Sequence, residues 1–219
     1  MQYLGIALAA YLVGAVPFGY LLGRLAGKDV RAEGSRNIGA TNVVRVCGWR
    51  WGALALALDA CKGFAPVWGV GLGVMGGVPQ AGPARAQALA AVAAVLGHTF
   101  PVYLKFRGGK GVATSAGALA ALMPGALAMG LGAFVLAVAA TRYVSVGSTA
   151  AVLGVLVGAH LLSPAPYGED LPRTMLAWLL AVLVVVRHRA NYARLWHGTE
   201  NRLGARPQST GRSPSDQTD

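Results

Sequence analysis

Six stretches of the chain, residues 3–25, 51–75, 84–104, 112–140, 146–162 and 171–186, run almost without charge for about the thickness of a bilayer core. A helix needs roughly 20 apolar residues to cross about 30 Å of hydrocarbon. In a chain of 219 residues these runs leave room for connecting loops and little else. The expected fold class is therefore all-α, a polytopic integral membrane protein. Composition agrees, with 12% charged residues against about 25% in soluble domains. High hydrophobicity also excludes disorder for most of the chain. The net charge of +11 leaves two readings, nucleic-acid binding or basic loops on one side of a membrane, and a nucleic-acid binder has no use for the apolar runs. The start, Met1-Gln2-Tyr3-Leu4, lacks the positive region of a secretory signal, so the first run is expected to remain as a helix.

Residues 112–140 are more than one span needs, and Pro124-Gly125 interrupts them near the middle. Proline in a helix interior removes a hydrogen bond and clashes with the preceding turn. Charge tests whether the run is one helix or two. With a hairpin there, residues 26–50, 105–111, 141–145 and the tail from Arg187 all share one side. That side then holds 16 of the 19 basic residues, leaving Arg85 and Arg173 opposite and Lys62 inside a span. A single helix would mix the charge. The positive-inside rule therefore predicts about seven membrane helices, with the N-terminus outside and the C-terminus cytoplasmic. One of them, residues 112–123, would rise only about 18 Å and is read as a half-spanning or re-entrant helix enclosed by protein.

Residues 1–203 are expected to form one membrane-embedded domain, and the Ser, Pro, Gln and Thr-rich residues 204–219 a disordered cytoplasmic tail. Pro66 is a possible kink, while Pro79, Pro83, Pro164, Pro166 and Pro172 mark outer turns. Cys47 and Cys61 are placed for no disulfide, and metal-ligand spacing is lacking. Neither metal nor cofactor is expected.

Polar chemistry collects in the inner blocks. Gly34-Ser35-Arg36-Asn37-Ile38-Gly39-Ala40-Thr41-Asn42-Val43-Val44-Arg45 can surround a phosphate with hydroxyl, amide and guanidinium donors. A merely solvated basic loop would explain its arginines but not its Ser, Asn and Thr. In the second block, Phe106-Arg107-Gly108-Gly109-Lys110-Gly111-Val112-Ala113-Thr114 places glycines and a lysine at the start of the short helix, whose positive end favours an anion. Gly111 follows the lysine where a Walker A loop has Ser or Thr, which argues against ATP hydrolysis. Ser145 and Ser148 offer an N-cap to the next span or a ligand to an anion. His188, Asn191 and Arg194 recur every three residues, along one helical face. Asp59 and Lys62, three apart inside a span, read equally as a functional site or a neutralising ion pair, and His98 as a structural or functional histidine.

The blocks at 34–45, 98–114 and 188–200, supported by Asp59-Ala60-Cys61-Lys62-Gly63, resemble the bacterial acyl-phosphate:glycerol-3-phosphate acyltransferases of the PlsY type, in order and spacing, over nearly the whole chain to Leu203. The resemblance implies a seven-helix enzyme of the bacterial inner membrane with a cytoplasmic active site. Its partners would be glycerol 3-phosphate, acyl phosphate and membrane lipids, with transient contact to an enzyme producing acyl phosphate. It would acylate the 1-hydroxyl of glycerol 3-phosphate and yield lysophosphatidate for phospholipid synthesis. Ser35, Arg45, Lys110 and Asn191 are then the expected catalytic residues. Asn37, Thr41, Asn42, Gly108, Gly109, Gly111, Thr114, Ser145, Ser148, His188, Arg194 and Glu200 are the expected substrate-binding ones, with the glycines as backbone donors.

A His-x-x-x-x-Asp acyltransferase dyad is excluded, since Tyr103, Ala165, Ala193 and Arg202 stand five positions after the four histidines. An acyl phosphate carries a good leaving group, so alignment and charge stabilisation suffice for attack by the substrate hydroxyl. The competing class is a transporter of phosphate or an organic phosphate. It needs a site reached from both sides, whereas these blocks gather on one. A CDP-alcohol phosphotransferase would need a cluster of aspartates, which Asp29 and Asp59 do not form.

Overall fold

The computed structural model describes residues 1–74 and 83–204. Pro79 and most of the expected disordered tail, residues 205–219, lie outside the described residues. All regular structure among the described residues is helical: α1 (Gln2–Ala15), α2 (Phe18–Leu25), α3 (Ala40–Cys47), α4 (Trp49–Gly71), α5 (Pro83–Thr99), α6 (Val112–Leu122), α7 (Pro124–Thr141), α8 (Val144–Leu161), α9 (Leu171–Arg187) and α10 (Arg189–Trp196), with one 3₁₀ turn at Val102–Leu104. Five elements are long and apolar enough to cross a membrane, namely α1 with α2, α4, α5 with its 3₁₀ turn, α7 and α8. The pair α9 and α10, bent by 50°, makes a sixth. The short apolar α6 adds to these without reaching that length, so five or six elements meet the requirement against the expected seven.

The run at 112–140 divides where Pro124 demands it. α6 ends at Leu122, Met123 breaks the ladder, and Pro124 opens α7 in the first turn, where its missing N–H costs nothing. Elsewhere the elements depart from the sequence pattern. The first run is not one helix, because Pro17 interrupts it between α1 and α2. The Lys62 ammonium takes up the Val16 carbonyl at this break, at 2.7 Å. The same ammonium lies 2.8 Å from Asp59, so Asp59 and Lys62 do form a buried ion pair. Pro66 sits inside α4 without ending it. Pro83 and Pro172 open α5 and α9. α8 begins at Val144 with Tyr143 as its N-cap, so neither Ser145 nor Ser148 caps it. Both are already inside the helix.

Helices approach closely through small residues, as membrane packing requires when no hydrophobic force separates lipid from protein. At the α4–α6 contact a Cβ on Gly63 would overlap the Thr114 carbonyl, and one on Gly117 would overlap that of Ala60. This contact holds the start of the short helix against the middle of the bundle.

Candidate active site

The four polar blocks meet at one end of the bundle, around a cavity of about 320 Å³. Its mouth is lined by Ser35, Asn37, Thr41, Asn42 and Arg45 from the first block, Lys110 and Gly111 from the second, Ser145 and Ser148 from α8, and His188, Asn191, Arg194 and Glu200 from the last. Leu119, Leu127, Leu131, Phe134, Val152 and Val155 extend it as an apolar groove among α6, α7 and α8. Leu131 lines the groove yet is 50% exposed, as is Leu56 at 54%. The groove therefore reaches the apolar flank of the molecule.

In the first block the fold depends on Asn42, which is buried. Its Oδ1 accepts the Ser35 N–H at 2.8 Å and an Arg45 guanidinium N–H at 3.3 Å. Its Nδ2 lies within bonding distance of the carbonyls of Val30, Asn37 and Glu33. Asn42 thus ties the loop together and presents Ser35 and Arg45 at the mouth. It has little capacity left for a ligand. α3, which carries Asn42 and Arg45, was not evident in the sequence, being only 8 residues long.

Across the cavity, the Lys110 ammonium donates to the Asn191 carbonyl oxygen at 2.5 Å, and the Asn191 amide donates to Glu200 Oε1 at 2.6 Å. The same oxygen accepts the Ser145 hydroxyl at 3.0 Å, while Glu200 Oε2 accepts Arg194 Nε at 2.7 Å. Glu200 is buried among these donors, its side chain 6% exposed. Glu200 lines the cavity and at the same time organises Asn191, Ser145 and Arg194 around it. Ser148 donates to the Val144 carbonyl, and His188 Nδ1 is bonded to that of Val184.

Two expectations for the glycine block change. The amides of Gly108 and Gly109 do not face the cavity. They donate to the carbonyls of Thr99 and His98 at 3.2 and 3.1 Å. Their own carbonyls accept Arg187, at 3.2 Å for Gly108 and 3.0 Å for Gly109. These glycines hold Lys110 in place instead of binding an anion. Thr114 is likewise not among the residues lining the cavity, its backbone packing on Gly63 of α4, and Ser115 lines it instead. One helical step of about 100° separates the two, so counting four residues from Gly111 would have selected Ser115. Arg187 was not singled out because a basic residue at the end of an apolar helix is indistinguishable in sequence from topological charge.

Burial pushes the Lys110 pKa down to about 8, with Glu200 opposing the shift and Arg194, Arg187 and Arg45 adding to it. Burial also lowers that of Arg45, again against Glu200, but a guanidinium stays charged. The lysine is charged below its pKa and neutral above it. We expect kcat/KM, which reports the unliganded enzyme, to fall as pH rises through about 8, approaching tenfold per pH unit beyond it. A pH profile of initial rates on stable substrates checks this, and Lys110→Arg should remove the decline.

The glycerol-3-phosphate acyltransferase family model matches residues 4–198. The glycerol-3-phosphate acyltransferase of Desulfotalea psychrophila is 43% identical over 196 residues, covering 88% of this chain and 94% of the relative. That of Anaeromyxobacter dehalogenans is 45% identical over 199 residues, covering 89% and 94%. Among solved structures, the crystal structure of PlsY, an integral membrane glycerol 3-phosphate acyltransferase, in its glycerol 3-phosphate form superposes with a TM-score of 0.82 at 32% identity, over 93% of this chain and 96% of that one. Its lysophosphatidic acid form gives 0.80. A family match across nearly all the helices, together with a basic cavity that continues as an apolar groove, makes this chain a member of the integral membrane glycerol-3-phosphate acyltransferase family.

Proposed function

We propose that the cavity transfers an acyl chain from acyl phosphate directly to the 1-hydroxyl of glycerol 3-phosphate, releasing lysophosphatidate and inorganic phosphate. The observation that carries this reading is the continuity of the cavity, cationic at its mouth and apolar along α6, α7 and α8. Such a shape suits two phosphates and one hydrocarbon tail. Lys110 and Arg45 offset the phosphate charges, while Ser35 and Asn191 orient the reacting groups. The substrate hydroxyl attacks the acyl carbon, the bond from that carbon to the phosphate oxygen breaks, and the departing phosphate accepts the hydroxyl proton. Alignment and fixed positive charge supply the acceleration.

The concentration of basic residues in the loops around this mouth supports a cytoplasmic orientation in a bacterial inner membrane, with the N-terminus outside. From there the site is open to soluble glycerol 3-phosphate and to transient contact with an enzyme that makes acyl phosphate. Purified protein given both substrates should form lysophosphatidate. Ser35→Ala should retain measurable turnover, with the loss chiefly in substrate positioning. A trapped acyl-Ser35 ester would overturn direct transfer. Phosphate uptake into proteoliposomes, without lysophosphatidate formation, would instead support the transporter class.

A further inference from the structure

The absence of a His-x-x-x-x-Asp motif conceals a spatial pairing. α4 and α5 bring Asp59 Oδ1 and His98 Nδ1 to 3.6 Å, although 39 residues separate them in the chain. Both side chains are almost wholly buried, at 2% and 4% exposure. Asp59 Oδ1 has the Lys62 ammonium at 2.8 Å, whereas His98 Nδ1 has no hydrogen-bond partner among the described residues. A separation of 3.6 Å is just too long for a hydrogen bond, yet leaving the buried His98 Nδ1 unsatisfied is costly, and the carboxylate beside it is an acceptor. Each is the other's complement. In unliganded sites such contacts are commonly loose and tighten when substrate binds.

Such a pair could act as a general base or hold something else in place, and the far side of the ring decides between them. Although Asp59 and His98 both line the cavity, His98 Nε2 lies against the loop. It is covered by Gly109, where an added Cβ would overlap Nε2 and lie 2.7 Å from Cε1. The His98 carbonyl also accepts the Gly109 N–H at 3.1 Å. His98 therefore touches the loop residue immediately before Lys110 with both its ring and its backbone, and Asp59 faces the opposite edge of the ring. Asp59 is in turn held by Lys62 at 2.8 Å.

We infer that Asp59 and His98 are a buried positioning pair, which seats the Gly108-Gly109-Lys110 loop and so sets the depth of the Lys110 ammonium in the cavity. This rests on the reading of Lys110 as the cation that meets a substrate phosphate. It also accounts for glycine at 109, because the ring occupies the place of any side chain there. The pair acts through the loop and exchanges no proton with substrate. A displacement of about 1 Å at a reacting group costs about 10²-fold in rate, which sets the expected size of the effect.

A double-mutant cycle on His98 and Gly109 tests the inference. His98→Ala and Gly109→Ala should each lower kcat about 10- to 100-fold, with smaller changes in KM for glycerol 3-phosphate. In the double variant the alanine at 109 has no ring to meet, so kcat should stay within about threefold of the worse single variant. Multiplying losses would show that the ring does not act through Gly109 and would overturn the inference. Asp59→Asn, which keeps the shape and weakens the pairing, should lower kcat while its thermal unfolding temperature in detergent stays near wild type. Unchanged kcat in a folded Asp59→Asn variant would remove Asp59 from the pair. If His98→Ala fails to fold, His98→Gln replaces it in the same cycle. Activity of Lys110→Ala, measured alongside, separates the two levels. Full activity there defeats the functional reading, whereas an impaired Lys110→Ala with a multiplicative cycle defeats the positioning pair alone.

Discussion

Lys110→Ala is expected to lower kcat/KM for lysophosphatidate formation by about 10³-fold or more. The reason lies in how the cations of the cavity wall are committed. Arg194 is bonded to Glu200 at 2.7 Å, and Arg45 leans on Asn42 at 3.3 Å. The hydrogen bond recorded for Lys110 is to the neutral Asn191 amide, at 2.5 Å. Its charge, like that of Arg45, is met only by a neutral amide oxygen, and it lies in a half-buried position where water screens it poorly. Removing one preorganised neutral donor from a site of developing charge costs about 10²–10³-fold, and a charged donor is roughly twice as strong as a neutral one. A 10³-fold loss corresponds to about 4 kcal/mol of transition-state stabilisation. Initial rates of lysophosphatidate formation by purified variant and wild type decide the matter, and a variant within tenfold of wild type contradicts the proposed role. Lys110→Arg should recover part of the rate, because a planar guanidinium carries the charge but not the reach of an ammonium.

Glu200→Ala should be nearly as damaging, with a loss of about 10²-fold in kcat, although a carboxylate repels an anionic substrate. It accepts Asn191, Ser145 and Arg194 together. Without it the Asn191 amide is free to rotate, and the Lys110 ammonium loses its oriented partner. Arg194 loses its counter-ion, and removing one member of an enclosed pair is destabilising, though Arg194 is 34% exposed and solvent softens the effect. Glu200→Gln separates geometry from charge. If the carboxylate served only to oppose substrate charge, this variant would be faster than wild type. We expect it to be slower, about tenfold, because one amide oxygen must replace a carboxylate that engages three donors. Steady-state kinetics of the three proteins, with unfolding temperature as a control, distinguishes these outcomes.

The membrane class, the division at Pro124 and the four polar blocks were legible in the sequence, since they rest on local properties. Apolar length, proline chemistry and charge along the chain need no tertiary information. Proline 17 was as visible as Pro124, but the continuous apolar run around it conceals a break that Lys62 supports from α4. The direction of the Gly108 and Gly109 amides was not legible. It depends on Arg187, 78 residues beyond Gly109, and on the carbonyls of His98 and Thr99. Glycine beside lysine at a helix start reads as an anion loop, and only the fold reveals which backbone groups are already engaged. The same holds for Asn42, whose side chain reaches back 12 residues to Val30, and for His98 and Asp59, which no local spacing relates.

The groove that reaches the apolar flank at Leu56 and Leu131 also determines what concentration means for this enzyme. One substrate arrives from a volume and the other from a surface. The rate should follow the mole fraction of acyl phosphate among surrounding amphiphiles, not its amount per litre, so added detergent slows turnover by dilution in two dimensions. The single-tailed product can leave sideways by the same opening, its hydrocarbon remaining in the bilayer throughout.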